Sequence, residues 1–229
     1  QNYLWQIPVA QPPGSYKLRV TGYNGVKHQS ANYFSIVVPT VTSLSPTVGN
    51  PGTLITITGT NFRTDVPTKI FFSLERIYGR YISATSLDGR TIKFTVPTTL
   101  EYLRSPLVGQ PATMNVVPYQ YYLVDVLYGQ DPEMSTLGPR FIVPFPTVTS
   151  LSPAVGNPGT TVTITGTNFR TDVPTEILFK HPEATLYRRF IQATSPDGKT
   201  LKFTVPSTLS YQGTPPAGTP AIRDVLPGS

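Results

Sequence analysis

Apolar and polar residues alternate along much of this chain, which is the period of a β-strand with one buried face. In residues 161–165, for example, Val162 and Ile164 fall on one face and threonines fall on the other. Apolar residues never keep the helical spacing i, i+3, i+4, i+7 for more than one turn, and Pro or Gly interrupts most stretches. The pattern therefore predicts an all-β chain.

Strands are predicted wherever the alternation is clearest. They cover residues 54–58, 69–72, 81–84, 91–96, 121–127 and 140–143, and then 161–165, 176–179, 187–193 and 200–205. Turn-forming residues separate them, and Asp88-Gly89 and Asp197-Gly198 each predict a hairpin between the strands on either side. Gly59 is expected at a bulge or a close backbone approach. Short strands with such regular turns are typical of an Ig-like β-sandwich.

The chain contains nearly the same sequence twice, at residues 39–68 and 146–175. The copies lie 107 residues apart and differ only at Thr47/Ala154, Leu54/Thr161 and Ile55/Val162. This period is longer than the repeat of a solenoid or of a propeller blade, and it matches the length of one sandwich domain. The sequence therefore predicts two sister domains, at 39–144 and 145–229, after an N-terminal segment at 1–38.

The duplicated block carries a family resemblance. The run SLSP-x-VGNPGT-x-x-TITGTNF, followed by a KFTVP strand, closely resembles the IPT/TIG family of Ig-like domains. The resemblance covers residues 39 to about 143, and 146 to the C-terminus. It implies tandem Ig-like sandwiches of a prokaryotic cell-surface protein. It does not imply one activity, because such domains serve as spacers, adhesive modules or dimerisation modules in different proteins.

The N-terminal segment resembles the last strands of another Ig-like surface domain. Strands are predicted at residues 3–7, 15–20 and 33–37, and the pattern W-x-I-P, P-G-S-Y-K-L-R-V, F-S-I is similar to domains of fungal cell-wall and bacterial exported proteins. The second repeat, in contrast, stops at Leu226-Pro-Gly-Ser229, where its penultimate strand is expected to begin.

Two interpretations of these ends remain open at this point. In the first, the chain is a segment of a longer multidomain protein that is cropped at both ends. In the second, the N-terminal strands of one subunit complete the second repeat of the next, as in donor-strand addition, and build a head-to-tail homopolymer. The residues predicted to make the subunit contact are Tyr16, Leu18, Val20, Phe34 and Ile36.

Composition and charge restrict the partners. Only 13% of residues are charged, the net charge is +6, and the basic residues are scattered, so no patch for nucleic acid is predicted. Attraction to an acidic cell-wall polysaccharide is a milder expectation. Cysteine is absent, which excludes disulfides and thiolate chemistry. No apolar run approaches 18 residues, so no membrane span is predicted.

Residues that could carry chemistry are few. The two histidines lie in polar, turn-like contexts, and no nucleophile elbow, phosphate loop or zinc motif occurs. The recurring aspartates are interpreted as turn formers and loop caps, since they lack the nearby carboxylates of a calcium site. These residues are His28, His181, Asp65, Asp172, Asp88 and Asp197. We expect no catalytic residue, no metal and no cofactor, and thus no enzyme.

Aromatic residues make up 11% of the chain and offer one binding alternative. An exposed platform for sugar stacking would use Trp5, Tyr119, Tyr121 and Tyr128. Alternation instead places Tyr122 in a core stripe, and Trp5 also fits a core anchor. The sequence thus favours an extracellular structural protein: a filament, stalk, adhesin or surface-layer subunit. The alternative is a carbohydrate-binding accessory array of a larger secreted enzyme.

Overall fold

The computed structural model describes residues 11, 13–103, 108–109, 111–128, 135–136, 138–181 and 186–225. The chain divides into two compact units, Gln1–Val143 and Pro144–Ser229. The described residues form β-strands and turns without a helix, so the predicted all-β class is confirmed. Within these residues no helix is present that is long and apolar enough to cross a membrane.

The N-terminal segment forms two small antiparallel pairs. Its strands are β1 (Gly14–Tyr16), β2 (Arg19–Thr21), β3 (Lys27–Gln29) and β4 (Phe34–Ile36). Strand β1 pairs with β4, and β2 pairs with β3. The single strand predicted at 15–20 is therefore interrupted after Tyr16, and β3 was not predicted. The strand predicted at 3–7 lies outside the described residues.

The first repeat is a two-sheet sandwich. Its strands are β5 (Thr40–Ser45), β6 (Leu54–Thr60), β7 (Thr68–Leu74), β8 (Tyr78–Ala84), β9 (Thr91–Thr95), β10 (Thr99–Tyr102), β11 (Thr113–Asn115), β12 (Tyr121–Leu127), β13 (Ser135–Thr136) and β14 (Arg140–Ile142). One sheet has the order β5-β6-β9. The other runs β11-β10-β8-β7-β12-β13, with β14 also paired to β12.

The core of the first repeat lies between these two sheets. Ile55 and Ile57 contribute from one sheet, and Phe72 and Tyr122 contribute from the other. The Tyr122 ring stacks on Phe72 at 4.9 Å between centroids, and its hydroxyl accepts from the Val117 N–H at 2.9 Å. Tyr122 thus occupies the core, as the alternation predicts, and it forms the backbone contact expected of an inward tyrosine at a sandwich corner.

The second repeat reproduces the first through seven strands. They are β15 (Thr147–Ser152), β16 (Thr161–Thr167), β17 (Thr175–Lys180), β18 (Tyr187–Ala193), β19 (Thr200–Thr204), β20 (Thr208–Tyr211) and β21 (Ile222–Asp224). The sheets are β15-β16-β19 and β17-β18-β20-β21. They correspond to β5–β11 of the first repeat, and no described strand corresponds to β12, β13 or β14.

Two local features follow from the repeated motifs. A Cβ added to Gly59 would lie 1.9 Å from the Thr40 carbonyl oxygen, beside a register shift in β5, so the predicted close approach is present. The same holds for Gly166 and the Thr147 oxygen. These glycines therefore allow the first two strands of each repeat to approach closely.

The predicted Asp-Gly hairpins are wrong. Gly89 and Gly198 do adopt positive φ values of 68° and 70°. However, β8 and β9 belong to different sheets, so the turn at Asp88 carries the chain across the sandwich and does not join paired strands. The carboxylate of Asp88 instead accepts from the Arg90 and Thr91 N–H groups at 2.8 and 2.7 Å. Sequence alone could not separate the two cases, because both need the same turn chemistry.

Candidate functional site: the open edge of the second repeat

The outer edge of β17 lacks the neighbour that its counterpart has in the first repeat. There, β7 lies between β8 and β12, with Val124 opposite Phe72 and Val126 opposite Ile70. Strand β17 pairs with β18 along one side, and no described strand lies along its other side. We call this side of β17 the open edge. It presents a row of backbone N–H and C=O groups that can accept a further strand.

Apolar side chains near the open edge are more exposed than their counterparts. Leu44 in β5 is 5% exposed, whereas Leu151 at the same position of β15 is 51% exposed. Ile70 and Phe72 are fully buried, but Ile177 and Phe179 are only half-buried. The cluster of buried residues between the sheets is correspondingly small, and contains Ile164, Phe169, Ala193 and Leu201. The inward residues of β7 and β17 are the same, whereas strands beside them like β12 and β14 are described only in the first repeat.

Aromatic packing shows which contacts are involved. The Phe72 ring lies near the rings of Tyr122, Phe141 and Phe94 at 4.9, 6.0 and 6.3 Å. Its counterpart Phe179 keeps the last of these, a ring contact to Phe203 at 6.2 Å. The two rings without a counterpart come from β12 and β14. Tyr122, Val124, Val126, Phe141 and Val143 of the first core therefore lie on or directly after strands for which the second repeat has no described equivalent.

A second open position lies on the other sheet. In the first repeat, the Ile142 N–H donates to the Thr47 oxygen at 2.9 Å, and the Gly49 N–H donates to the Ile142 oxygen at 3.1 Å. Ala154 and Gly156 occupy these positions in the second repeat, and they have no backbone partner among the described residues. Val155 between them is 89% exposed. A strand equivalent to β14 would satisfy both groups.

The predicted contact residues of the N-terminal segment present apolar surface. Leu18, Val20 and Phe34 are exposed, Val20 to 70%, and Tyr16 and Ile36 are half-buried. Their strands pair only with one another among the described residues. Their role in subunit contact stays a prediction.

The predicted sugar-stacking tyrosines do not lie together, because Tyr119 and Tyr121 are just before and at the start of β12 and Tyr128 follows its other end. Tyr119 and Tyr121 are both exposed, and Tyr128 is half-buried. The Arg140 guanidinium lies 5.6 Å from the Tyr121 ring centroid, a cation–π contact. Trp5 lies outside the described residues. The tyrosines therefore offer surface aromatic groups, and their binding of sugar stays a prediction.

A buried charge on the outer face of the first repeat was not predicted. The Asp125 side chain is 1% exposed, and its carboxylate accepts from the Arg76 guanidinium at 2.9 Å. Burial raises the pKa of this carboxyl above its ordinary value, and Arg76 opposes that shift. Alternation did not reveal it, because Asp125 falls on the face that the pattern marks as solvent-facing.

The remaining aspartates and histidines do not form a chemical site in the described residues. Asp65 pairs with Arg63 within its own loop, and this ion pair recurs at Arg170 and Asp172. The sequence predicts a loop cap at these aspartates, and their arginine partners were not predicted. No group of three or more His, Cys, Asp or Glu residues suited to a metal occurs in this part of the chain, which includes His28 and His181.

A comparison with protein families identifies the repeats. The model of the IPT/TIG domain matches residues 39–114 and 146–215, which together are more than half of the chain. The chain belongs to the IPT/TIG domain family. The predicted resemblance is thereby confirmed, as are two IPT/TIG segments in tandem.

Solved structures similar to this IPT/TIG chain are distant. An SGBP-B from a xyloglucan utilization locus of Bacteroides uniformis is 18% identical over 76% of this chain, with a TM-score of 0.28. An SGBP-B from a mixed-linkage glucan utilization locus of Bacteroides ovatus is 16% identical over 86%, with a TM-score of 0.29. The chain spans 45% of the length of each. The chicken CNTN1 FN1–FN3 domains are 13% identical, with coverages of 92% and 74% and a TM-score of 0.22. The search of curated proteins found no match.

The residues around the open edge of the second IPT/TIG repeat were missed by the sequence analysis. It named apolar residues on the N-terminal strands but none on the surface that would receive them. The signal was available in the repeat itself, because the buried Leu44, Ile70 and Phe72 of the first copy recur as Leu151, Ile177 and Phe179 in the second. The residues concerned are Leu151, Val155, Ile177 and Phe179.

Proposed function

We propose that this chain is a structural module of an extracellular surface protein, and that its second IPT/TIG repeat is completed by a β-strand from outside the repeat. Strand addition at the open edge would join molecules end to end into a filament, stalk or similar surface structure. The protein would act mechanically, by extending and linking Ig-like units, and without catalysis.

The observation that carries this proposal is the contrast between two nearly identical repeats. Leu44 and Leu151 stand at equivalent places in equivalent strands, yet only Leu44 is buried. The first repeat shows what buries it, namely a sandwich that includes β12 and β14. Because Ile177 and Phe179 of β17 repeat the inward residues Ile70 and Phe72 of β7, the second repeat offers the same apolar residues to an added strand.

The expected gain on strand addition is substantial. Fully burying a Val, Leu, Ile or Phe side chain stabilises by about 1.5–3 kcal/mol. Ile177, Phe179 and Leu151 are partly buried already, so each would gain roughly 1 kcal/mol. Backbone hydrogen bonds along β17 add about 1 kcal/mol each. The entropy of ordering the incoming strand opposes this gain by about 1–2 kcal/mol per residue.

A peptide experiment tests whether the open edge accepts a strand. A synthetic peptide of residues 117–128, which contains β12, is added to the chain, and amide hydrogen exchange is followed in β17. We expect protection of Thr175–Lys180 to increase. A control peptide with Tyr122→Asp and Val124→Asp should leave exchange unchanged. If the unaltered peptide also leaves exchange in β17 unchanged at saturating concentration, the edge does not accept strands and the proposal is wrong.

Composition supports the extracellular part of the proposal. The chain is low in charge, rich in Thr, Pro, Gly and Tyr, and free of cysteine, a combination that suits an exported prokaryotic sandwich. Antibody labelling of intact and permeabilised source cells tests this location. If intact cells are not labelled and permeabilised cells are strongly labelled, the extracellular location is contradicted.

A second candidate function is carbohydrate binding, and the exposed Tyr119 and Tyr121 favour it. In that role the chain would be an accessory array of a larger secreted enzyme, or would attach to cell-wall polysaccharide. Binding to a panel of immobilised polysaccharides should fall at least tenfold on Tyr121→Ala. Tyr23→Ala, at a fully exposed tyrosine of the N-terminal segment, is the matched control. Equal binding by both variants would remove this candidate.

A further inference from the structure

We propose that the strand accepted by the open edge comes from the N-terminal segment of a second copy of this chain. Residues 15–21 would pair with β17, and Phe34–Ile36 would pair with residues 154–156. This inference rests on the proposed function, and it adds the identity of the donor and the register of pairing.

The N-terminal segment already has the pairing register of β12 with β14. In the first repeat, β12 and β14 pair with Tyr122 opposite Phe141. In the N-terminal segment, β1 and β4 pair with Tyr16 opposite Phe34. Both pairs precede the motif Pro-Thr-Val-Thr-Ser by the same number of residues, counted from the phenylalanine. Strands β1 and β4 therefore precede the first repeat in the same way that β12 and β14 precede the second repeat.

The register continues beyond the first pair. In the first repeat, Val126 lies opposite Thr136, and in the N-terminal segment Val20 lies opposite His28. Val20 is four residues after Tyr16, and Val126 is four residues after Tyr122. The N-terminal segment thus repeats the pairing of β12 with both β13 and β14, and it does so in strands that no described sheet covers.

Exposed and half-buried side chains of the N-terminal segment match buried side chains of the first repeat. Five apolar residues of the N-terminal segment align with five residues of the first repeat that are fully buried. The exposed or half-buried set is Tyr16, Leu18, Val20, Phe34 and Ile36, and the buried set is Tyr122, Val124, Val126, Phe141 and Val143. A segment with this stripe is suited to the inner face of an IPT/TIG sandwich.

The contacts of the complex follow from the register of β12 on β7. Because Val126 lies opposite Ile70 and Val124 lies opposite Phe72, Val20 would lie opposite Ile177 and Leu18 opposite Phe179. Tyr16 would supply the ring that stacks on Phe179, as Tyr122 does on Phe72. On the outer face, Lys17 would lie directly opposite Lys180.

The second strand of the donor fits the other open position. Ser35 aligns with Ile142, whose N–H and C=O bond to Thr47 and Gly49 in the first repeat. The Ser35 N–H would therefore donate to the Ala154 oxygen, and the Gly156 N–H would donate to the Ser35 oxygen. The paired strands of the N-terminal segment would therefore supply a partner both to the open edge of β17 and to residues 154–156. A single added strand would supply only one of them.

Such a contact is head-to-tail, since the donor surface and the acceptor surface lie on different units of the chain. Each added copy presents a new open edge, so the association does not close as a two-fold dimer would. Pairing of one open edge with another would give a closed dimer, and this is the competing occupant that the experiment has to separate.

A disulfide across the proposed register tests the donor directly, because these 229 residues include no cysteine. Lys17→Cys and Lys180→Cys are introduced together. Directly opposed strand residues have Cα atoms 4.5–5.5 Å apart, within disulfide range. Oxidation should give a ladder of covalent oligomers on a non-reducing gel. The matched control, Arg19→Cys with Lys180→Cys, moves the thiol two residues along the same face and should give at least fivefold less ladder.

The outcomes decide between donors. A ladder confined to the first pair supports the proposal. Dimers alone in the Lys180→Cys single variant would show edge-to-edge pairing, and an intramolecular disulfide would show that the donor is the same molecule; either result would overturn it. Equal ladders from both pairs would indicate random collision and would also overturn it.

A second measurement tests the identity of the donor strand independently of the proposed function. Association of the unlinked chain is followed by analytical ultracentrifugation, with Leu18→Asp as the test and Val26→Asp as the control. Both positions are exposed, but Val26 lies outside the stripe. We expect at least a tenfold loss of association for Leu18→Asp alone. If the peptide of residues 117–128 protects β17 while Leu18→Asp associates normally, the edge accepts strands but the N-terminal segment is not the donor.

Discussion

The same substitution made in the two repeats should have very different effects. Phe72→Ala removes a fully buried ring from the first repeat, and Phe179→Ala removes its half-buried counterpart from the second. Burial of a core phenylalanine makes its truncation to Ala cost about 3–5 kcal/mol. We expect Phe72→Ala to reach this range. The expected cost of Phe179→Ala is smaller, because the Phe179 ring has fewer aromatic contacts among the described residues.

The magnitude of the difference follows from the ring contacts. Phe72 contacts Tyr122 and Phe141, and these two contacts have no described counterpart at Phe179. Each aromatic pair contributes about 0.5–1.5 kcal/mol beyond burial. Together they reduce the expected cost of Phe179→Ala by about 1–3 kcal/mol, to roughly 2 kcal/mol.

Hydrogen exchange measured by mass spectrometry reports both repeats within the full chain. Opening free energies are taken from the proteolytic fragments that contain β7 and β17. The chain is kept at a concentration low enough to remain monomeric. Saturation with the peptide of residues 117–128 should then raise the cost of Phe179→Ala towards that of Phe72→Ala. Equal costs in the free monomer would refute the reasoning, because they would mean that the second core is closed without added strands.

Three further predictions concern stability. The backbone N–H groups that donate to Asp88 and Asp197 lower the pKa of each carboxyl to about 2. The stability that these bonds provide is therefore complete above the unfolded pKa of about 3.9 and is lost as pH falls through about 2. The urea midpoint should fall over that interval, and the double variant with Asn at both positions should show a smaller fall. Arg76→Ala leaves the buried Asp125 carboxylate without its cation and should cost about 2–3 kcal/mol at pH 7. Because burial raises the pKa of Asp125, this defect should shrink as pH falls and the carboxyl takes up a proton; a defect equal at pH 7 and pH 4 would contradict it. Tyr122→Phe removes the corner hydroxyl and should cost about 1–2 kcal/mol in urea unfolding, with no change expected in β17 exchange.

Much of the fold could be predicted from the sequence because its signals are local. The strands at 121–127 and 187–193 have the predicted bounds, since alternating apolar and polar residues determine which face is buried. Strand β5 has the same alternation, but its exposed serines and threonines concealed it. The hairpin at Asp88 was wrong because an Asp-Gly turn fixes only the local backbone, whereas strand pairing depends on distant residues.

The candidate site was partly predictable, for the same reason. The apolar stripe at Tyr16, Leu18 and Val20 is visible as alternation, so the donor residues could be named from the sequence. The acceptor residues could not be separated from ordinary core residues, because Ile177 and Phe179 have the same pattern as Ile70 and Phe72. Only the absence of a described neighbour beside β17 distinguishes them, and that is a property of the sheet.

The near-identity of the two repeats has a consequence for folding. Strand β12 can pair with β7, its native neighbour, or with β17, whose facing residues Ile177 and Phe179 match Ile70 and Phe72. Within the described residues, β12 therefore has two competing templates in a newly made or refolding chain, a situation that favours interdomain misassembly. Occupation of β17 by another strand before β12 is captured would remove this competition, so assembly itself would protect the first repeat from losing its strand to the second.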